Sequence, residues 1–158
     1  RYREVASWIA QLLPQATLFT DIIVGFTGET DEQFENTRKV LREFKYNMAY
    51  IAMYSPRPGA ASFAWTDDIP LEVKKQRFAT LSDDLAEVAL VHNQRLLHQT
   101  VRLLVRGTDK KEGFLSGQTE GKGTVRFESD DLGLIGSFVD VKIKSVRPFS
   151  MEGEMVKA

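Results

Sequence analysis

Apolar positions along this chain follow two different periods, and the change comes near residue 99. From Tyr2 to Leu13, Val5, Ile9, Leu12 and Leu13 recur at helical spacing, with Pro14 as a stop. Leu18 to Val24 (LFTDIIV) is instead a short apolar run rich in β-branched residues, which predicts a strand covered on both faces in a parallel sheet. Thr30 then opens a helix with Gln33 three residues on, a capping-box pattern, while Asp31 and Glu32 suit the positive helix end. Phe34, Val40, Leu41 and Phe44 form its buried side. Met48 to Tyr54 predicts a second strand, so strand, helix and strand make a right-handed βαβ unit. Pro70 opens a long helix whose stripe runs through Phe78, Leu81, Leu85, Val88 and Leu96, with charged residues on the opposite face.

Beyond Gln99 the helical period stops, and short strands separated by Gly and Asp clusters begin. They are expected at residues 100–106, 113–119, 123–128, 136–146 and 149–156. Five short strands in so compact a segment match a small closed or half-closed barrel of the oligonucleotide-binding type. The expected division is therefore 1–98, an α/β part, and 99–158, an all-β module.

Composition narrows the function classes. The formal charge is −1, from 21 basic and 22 acidic residues, so binding to nucleic acid must come from a local patch. The chain has no cysteine, which excludes disulfides, thiolate zinc sites and thiolate-held iron–sulfur clusters on its own residues. No apolar run has membrane-spanning length and the start carries no signal-peptide pattern, so the cytoplasm and no membrane partner are expected. The chain begins at Arg1 in what reads as mid-domain helix, as expected of a piece of a longer protein.

Candidate chemistry gathers where strands end. The turn from Gly25 to Glu29 joins a strand to a helix, the usual place for ligands in α/β proteins, but it carries neither a dinucleotide fingerprint nor a P-loop. Asp21, inside an apolar strand, needs either a backbone hydrogen bond or a ligand. Arg57 sits between Pro56 and Pro58, in a stiff loop after the second strand. It is either a surface arginine or a grip for phosphate or carboxylate, and the rigid setting favours the grip. His92 has no second ligand at metal spacing and reads as a packed or capping histidine, and His98 as a charge near a helix C-terminus. In the β module, Lys142 and Lys144 alternate on one strand, with Arg126 and Phe127 on another. This is an ordinary solvated face or a positive one carrying an aromatic.

Two separated stretches carry a resemblance. TDIIVGFTGET (20–30) and YSPRPGA (54–60) resemble the second half of the barrel in radical S-adenosylmethionine methylthiotransferases, and the tail from LLVRGTDKKEGF through LIGSFVDVKI to EGEMV resembles their terminal TRAM domain. The branch that modifies isopentenyladenosine in tRNA fits best, through GQTEGKGTVRF. The resemblance implies a partial (β/α) barrel fragment followed by a five-stranded TRAM, OB-like barrel. It implies S-adenosylmethionine held in part by Thr20, Asp21, Gly25, Tyr54, Ser55 and Arg57, and a tRNA anticodon stem-loop partner contacted by Lys110, Lys111, Lys122 and Arg126, with Phe127 as a stacking platform or core residue. Thr27 departs from the family's proline. Two 4Fe-4S clusters belong to the full-length enzyme, and their cysteine ligands would lie in the missing N-terminal half, leaving this part inactive alone. A non-enzymatic TRAM-type RNA-binding protein and a methylthiotransferase acting on a ribosomal protein are the alternative readings.

Overall fold

The computed structural model describes residues 1–13 and 16–156; Pro14, the expected helix stop, lies outside the described residues. The chain forms two compact units, one of Arg1–Leu13 with Leu18–Val88 and the other built mainly from the residues after Val88.

The first unit holds α1 (Tyr2–Leu12), β1 (Phe19–Val24), α2 (Asp31–Phe44), β2 (Met48–Met53) and most of α3 (Leu71–Gln94). The expected capping box is present: Thr30 Oγ1 accepts from the Gln33 amide at 3.2 Å, and Gln33 Oε1 accepts from the Thr30 amide at 3.0 Å. β1 and β2 pair in parallel, from Phe19 opposite Met48 to Val24 opposite Met53. Val24 and Ala49 on one sheet face pack with Phe34, Leu41, Tyr46, Leu81 and Leu85.

The other sheet face is open, which corrects the expectation of a strand covered on both sides. Phe19, Asp21 and Ile23 of β1 and Tyr50 and Ala52 of β2 are exposed there, because among the described residues α2 and α3 pack on the opposite face. α1 also departs from expectation, since none of its residues is buried. Its Arg3 forks onto Glu43 at 3.0–3.2 Å, and Tyr2 meets the Tyr46 hydroxyl and the edge of Phe44.

In α3 the stripe is present at Leu81, Leu85 and Val88, but the helix ends at Gln94, before Leu96. His98 accordingly lies past the helix end, in a left-handed conformation with φ 66°, its amide donating to the Ile143 carbonyl at 2.9 Å. The charges of α3 are not all solvated either. Lys74, Arg77 and Asp84 are buried.

The second unit is a closed five-stranded barrel in the order β3 (Thr100–Thr108), β4 (Phe114–Thr119), β5 (Thr124–Glu128), β7 (Ser150–Met155), β6 (Phe138–Arg147). All neighbours are antiparallel except β5 and β7. Alternation places Leu103, Val105, Leu115, Val125, Phe127, Val141, Ile143 and Met151 inside as one core. Closure uses two irregularities, between Val105 and Gly107 on β3 and between Ile143 and Ser145 on β6. Gly117 and Gly153 face these bends, where an added Cβ would overlap the backbone of Leu104 and of Lys142 respectively. No helix among the described residues is long and apolar enough to cross a membrane.

Candidate functional site

In the first unit, the turn after β1 is held by both backbone and side-chain hydrogen bonds. The Glu29 amide donates to the Phe26 carbonyl at 2.8 Å, and Gly28, with φ 77°, supplies the positive φ that a type II turn requires at its third position. Glu29 folds back so that its Oε2 accepts from the Gly25 amide at 2.6 Å. The same oxygen accepts from Arg77 Nη1 at 2.7 Å, while Arg77 Nη2 reaches Asp31 at 2.7 Å. Burial pulls the Arg77 pKa down, yet its bonds to Asp31 and Glu29 outweigh that and leave it above its ordinary value.

One turn earlier in α3, Lys74 is 4% exposed. Its Nζ lies 2.6 Å from Asp67, donates to the Tyr54 carbonyl at 3.2 Å, and stands 5.2 Å from the Tyr54 ring centre. The Lys74 stem crosses Gly25 so closely that a Cβ there would overlap its Cγ. Two α3 cations three residues apart therefore fix the turn from one side, and Asp68 accepts from the Gly28 amide at 2.8 Å. Lys74 and Arg77 were legible only as members of a charged helix face. The signal that marks them is the acidic set Glu29, Asp31 and Asp67, placed where two strand-end loops meet a helix start.

The residues expected to hold a cofactor are partly assembled. Gly25 and Tyr54 come together, both against Lys74; the Tyr54 amide donates to the Val24 carbonyl at 2.9 Å and its hydroxyl to the Ser62 carbonyl at 3.1 Å. Phe26 meets Tyr54 and Trp65 edge-on, with centroids at 4.7 and 5.8 Å. Thr20 and Asp21 point to opposite faces. Thr20 lines a groove of about 380 Å³ with Ile22, Gln33, Thr37 and Val40, while Asp21 lies exposed on the open sheet face beside Tyr50 of β2. Ser55 and Arg57 are exposed in the loop after β2.

In the barrel, Lys111 and Arg126 converge on Glu152, at 3.4 and 2.7 Å, and Arg126 also stands 4.0 Å from Asp109. Burial raises the Glu152 pKa, but Arg126 and Lys111 outweigh it and hold the carboxyl below its ordinary range. Lys111 Nζ sits 3.6 Å from the Phe114 ring centre. Lys110 is exposed beside Lys111 in the β3–β4 loop, whereas Lys122 lies in the β4–β5 turn, at the other end of β4, with φ 63°. Phe127 is fully buried and so is a core residue, not a stacking platform.

Comparison with known proteins bears on both units. The family described as "TRAM domain" matches residues 94–156. Along nearly its whole length the chain is also similar to proteins named tRNA-2-methylthio-N(6)-dimethylallyladenosine synthase. It is 39% identical to the one from Cellvibrio japonicus over 98% of this chain and 34% of that protein. It is 38% identical to those from Escherichia coli O139:H28 and Shigella boydii serotype 18, over 99% of this chain and 33% of each. The chain thus spans about a third of the length of the curated relatives it matches, and the resemblance drawn from the two barrel stretches and the TRAM tail is borne out.

Proposed function

We propose that this chain serves as the C-terminal third of a tRNA-modifying methylthiotransferase, one that places a methylthio group on C2 of N6-isopentenyladenosine beside the anticodon. The observation that carries this reading is similarity to synthases of that name over 98% of the chain, running unbroken through both units. In this reading residues 1–98 are the later part of a (β/α) barrel, residues 99–158 are the RNA-binding TRAM module, and the protein works in the cytoplasm. The open face of β1 and β2 suits the inner wall of such a barrel, since its helices lie on the other side.

Iron–sulfur clusters need thiolate ligands, and with no cysteine these residues do not fit either cluster. S-adenosylmethionine is a better match. When bound it supplies the methyl group and radical chemistry of the reaction. Asp21, a carboxylate exposed among Phe19, Ile23 and Tyr50, combines an acceptor with apolar surface, as an adenosine carrying an ammonium group requires. Gly25 and Tyr54, which meet at Lys74 where β1 and β2 end, are proposed as further parts of that site. Thr20, Ser55 and Arg57 are kept as further contacts, with Arg57 directed to phosphate or carboxylate. Lys110, Lys111, Lys122 and Arg126 are assigned to the RNA backbone.

Titrating labelled anticodon stem-loop RNA and, separately, ribosomal protein against the chain tests the substrate class. Saturable binding to the RNA, weakened by salt, supports the tRNA reading. Binding to ribosomal protein alone contradicts it and favours the protein-modifying branch.

A further inference from the structure

The TRAM barrel carries an aromatic and two arginines that neither its core nor its ion pairs use. Phe138 begins β6 on the outer face and is 62% exposed, whereas Val141 and Ile143 on the same strand turn into the core. The Arg102 guanidinium of β3 lies 5.0 Å from the centre of its ring. Leu104 is the direct cross-strand partner of Phe138, and Arg106 follows on β3, also exposed. Neither Arg102 nor Arg106 forms an ion pair among the described residues, although Asp140 stands opposite Arg102 across the ladder. Lys111 and Arg126, by contrast, are already paired with Glu152.

An exposed ring with a guanidinium over it offers a flat apolar surface beside a positive charge. That combination takes an unpaired nucleobase by stacking and its phosphate by charge. We infer that the outer face of β3 and β6, through Phe138, Arg102 and Arg106, is the site where the TRAM module grips an unpaired nucleotide of its RNA. This rests on the RNA-binding reading above and adds the place and mode of base recognition, separate from the backbone contacts assigned to the lysines and Arg126.

The test is fluorescence anisotropy of the whole chain with a labelled single-stranded oligoadenylate and with a duplex RNA, across a range of salt. Phe138→Ala should weaken single-strand binding at least about fivefold with an unchanged salt slope, and Phe138→Tyr should restore it. Arg102→Ala should weaken binding and flatten the slope. Phe149→Ala, at another exposed phenylalanine, should change nothing. Circular dichroism establishes that each variant folds. If the wild-type chain binds RNA and folded Phe138→Ala and Arg102→Ala bind equally well, this surface is overturned while the RNA reading stands. If the wild-type chain binds neither RNA at low salt, both fall together.

Discussion

Arg77 Nη1 lies 2.7 Å from Glu29 Oε2, and this buried pair joins α3 to the turn that leaves β1. Both side chains are nearly enclosed, at 7% and 12% exposure, so each charge relies on the other. Replacing Arg77 with Met should therefore cost about 3–5 kcal/mol, the usual penalty for leaving one buried ion alone. Urea denaturation of the two chains measures it. Lys75→Met, which removes only the exposed pair with Glu72, should leave the midpoint unchanged.

The two glycines of the turn should respond differently to the same substitution. Gly28 faces open space, so Gly28→Ala costs only the strain of its positive φ, about 1 kcal/mol. Gly25→Ala adds an overlap with the Lys74 stem, which cannot swing away while its ammonium is held by Asp67 and the Tyr54 carbonyl. Its melting temperature should fall clearly further than that of Gly28→Ala.

Thr27 occupies the second position of this turn, where proline is favoured, and its hydroxyl is buried without a partner. Thr27→Pro should remove that orphan and restrict the unfolded chain, raising stability by about 0.4–1 kcal/mol in thermal denaturation.

Asp84, buried in α3, accepts from Arg38 at 2.7 Å and Arg42 at 2.5 Å. Burial pushes its pKa up, but the two arginines outweigh burial and set it below its ordinary value. A depressed folded-state pKa means that the stabilisation is complete above the unfolded value near 4 and is lost as pH falls through the lower folded value. The stability difference between wild type and Asp84→Asn should therefore be constant from about pH 6 to 5 and shrink below about pH 4. Denaturation at stepped pH checks this.

Features set by neighbours in sequence were legible in advance. The Thr30–Gln33 capping box depends on residues three apart, and the barrel strands on a period of two, and all of these appear. What the sequence concealed depends on distant partners. Lys74 and Arg77 look like solvated helix charges until Asp67 and Glu29 are brought against them. Asp21 reads as buried because an apolar run implies two covering layers, whereas helices cover only one face of β1 among the described residues. Phe127 and Phe138 show the same limit in the barrel: both occupy strands, and only the register decides that the first is core and the second exposed.

The most direct test of the proposed activity replaces the matching third of the Cellvibrio japonicus relative with this chain and expresses the chimera in cells lacking their own synthase. Mass spectrometry of digested tRNA then reads the modification. The account predicts 2-methylthio-N6-isopentenyladenosine in that tRNA, and its loss when the Cellvibrio part is expressed without this chain. A soluble chimera that binds tRNA yet leaves isopentenyladenosine unmodified would contradict it.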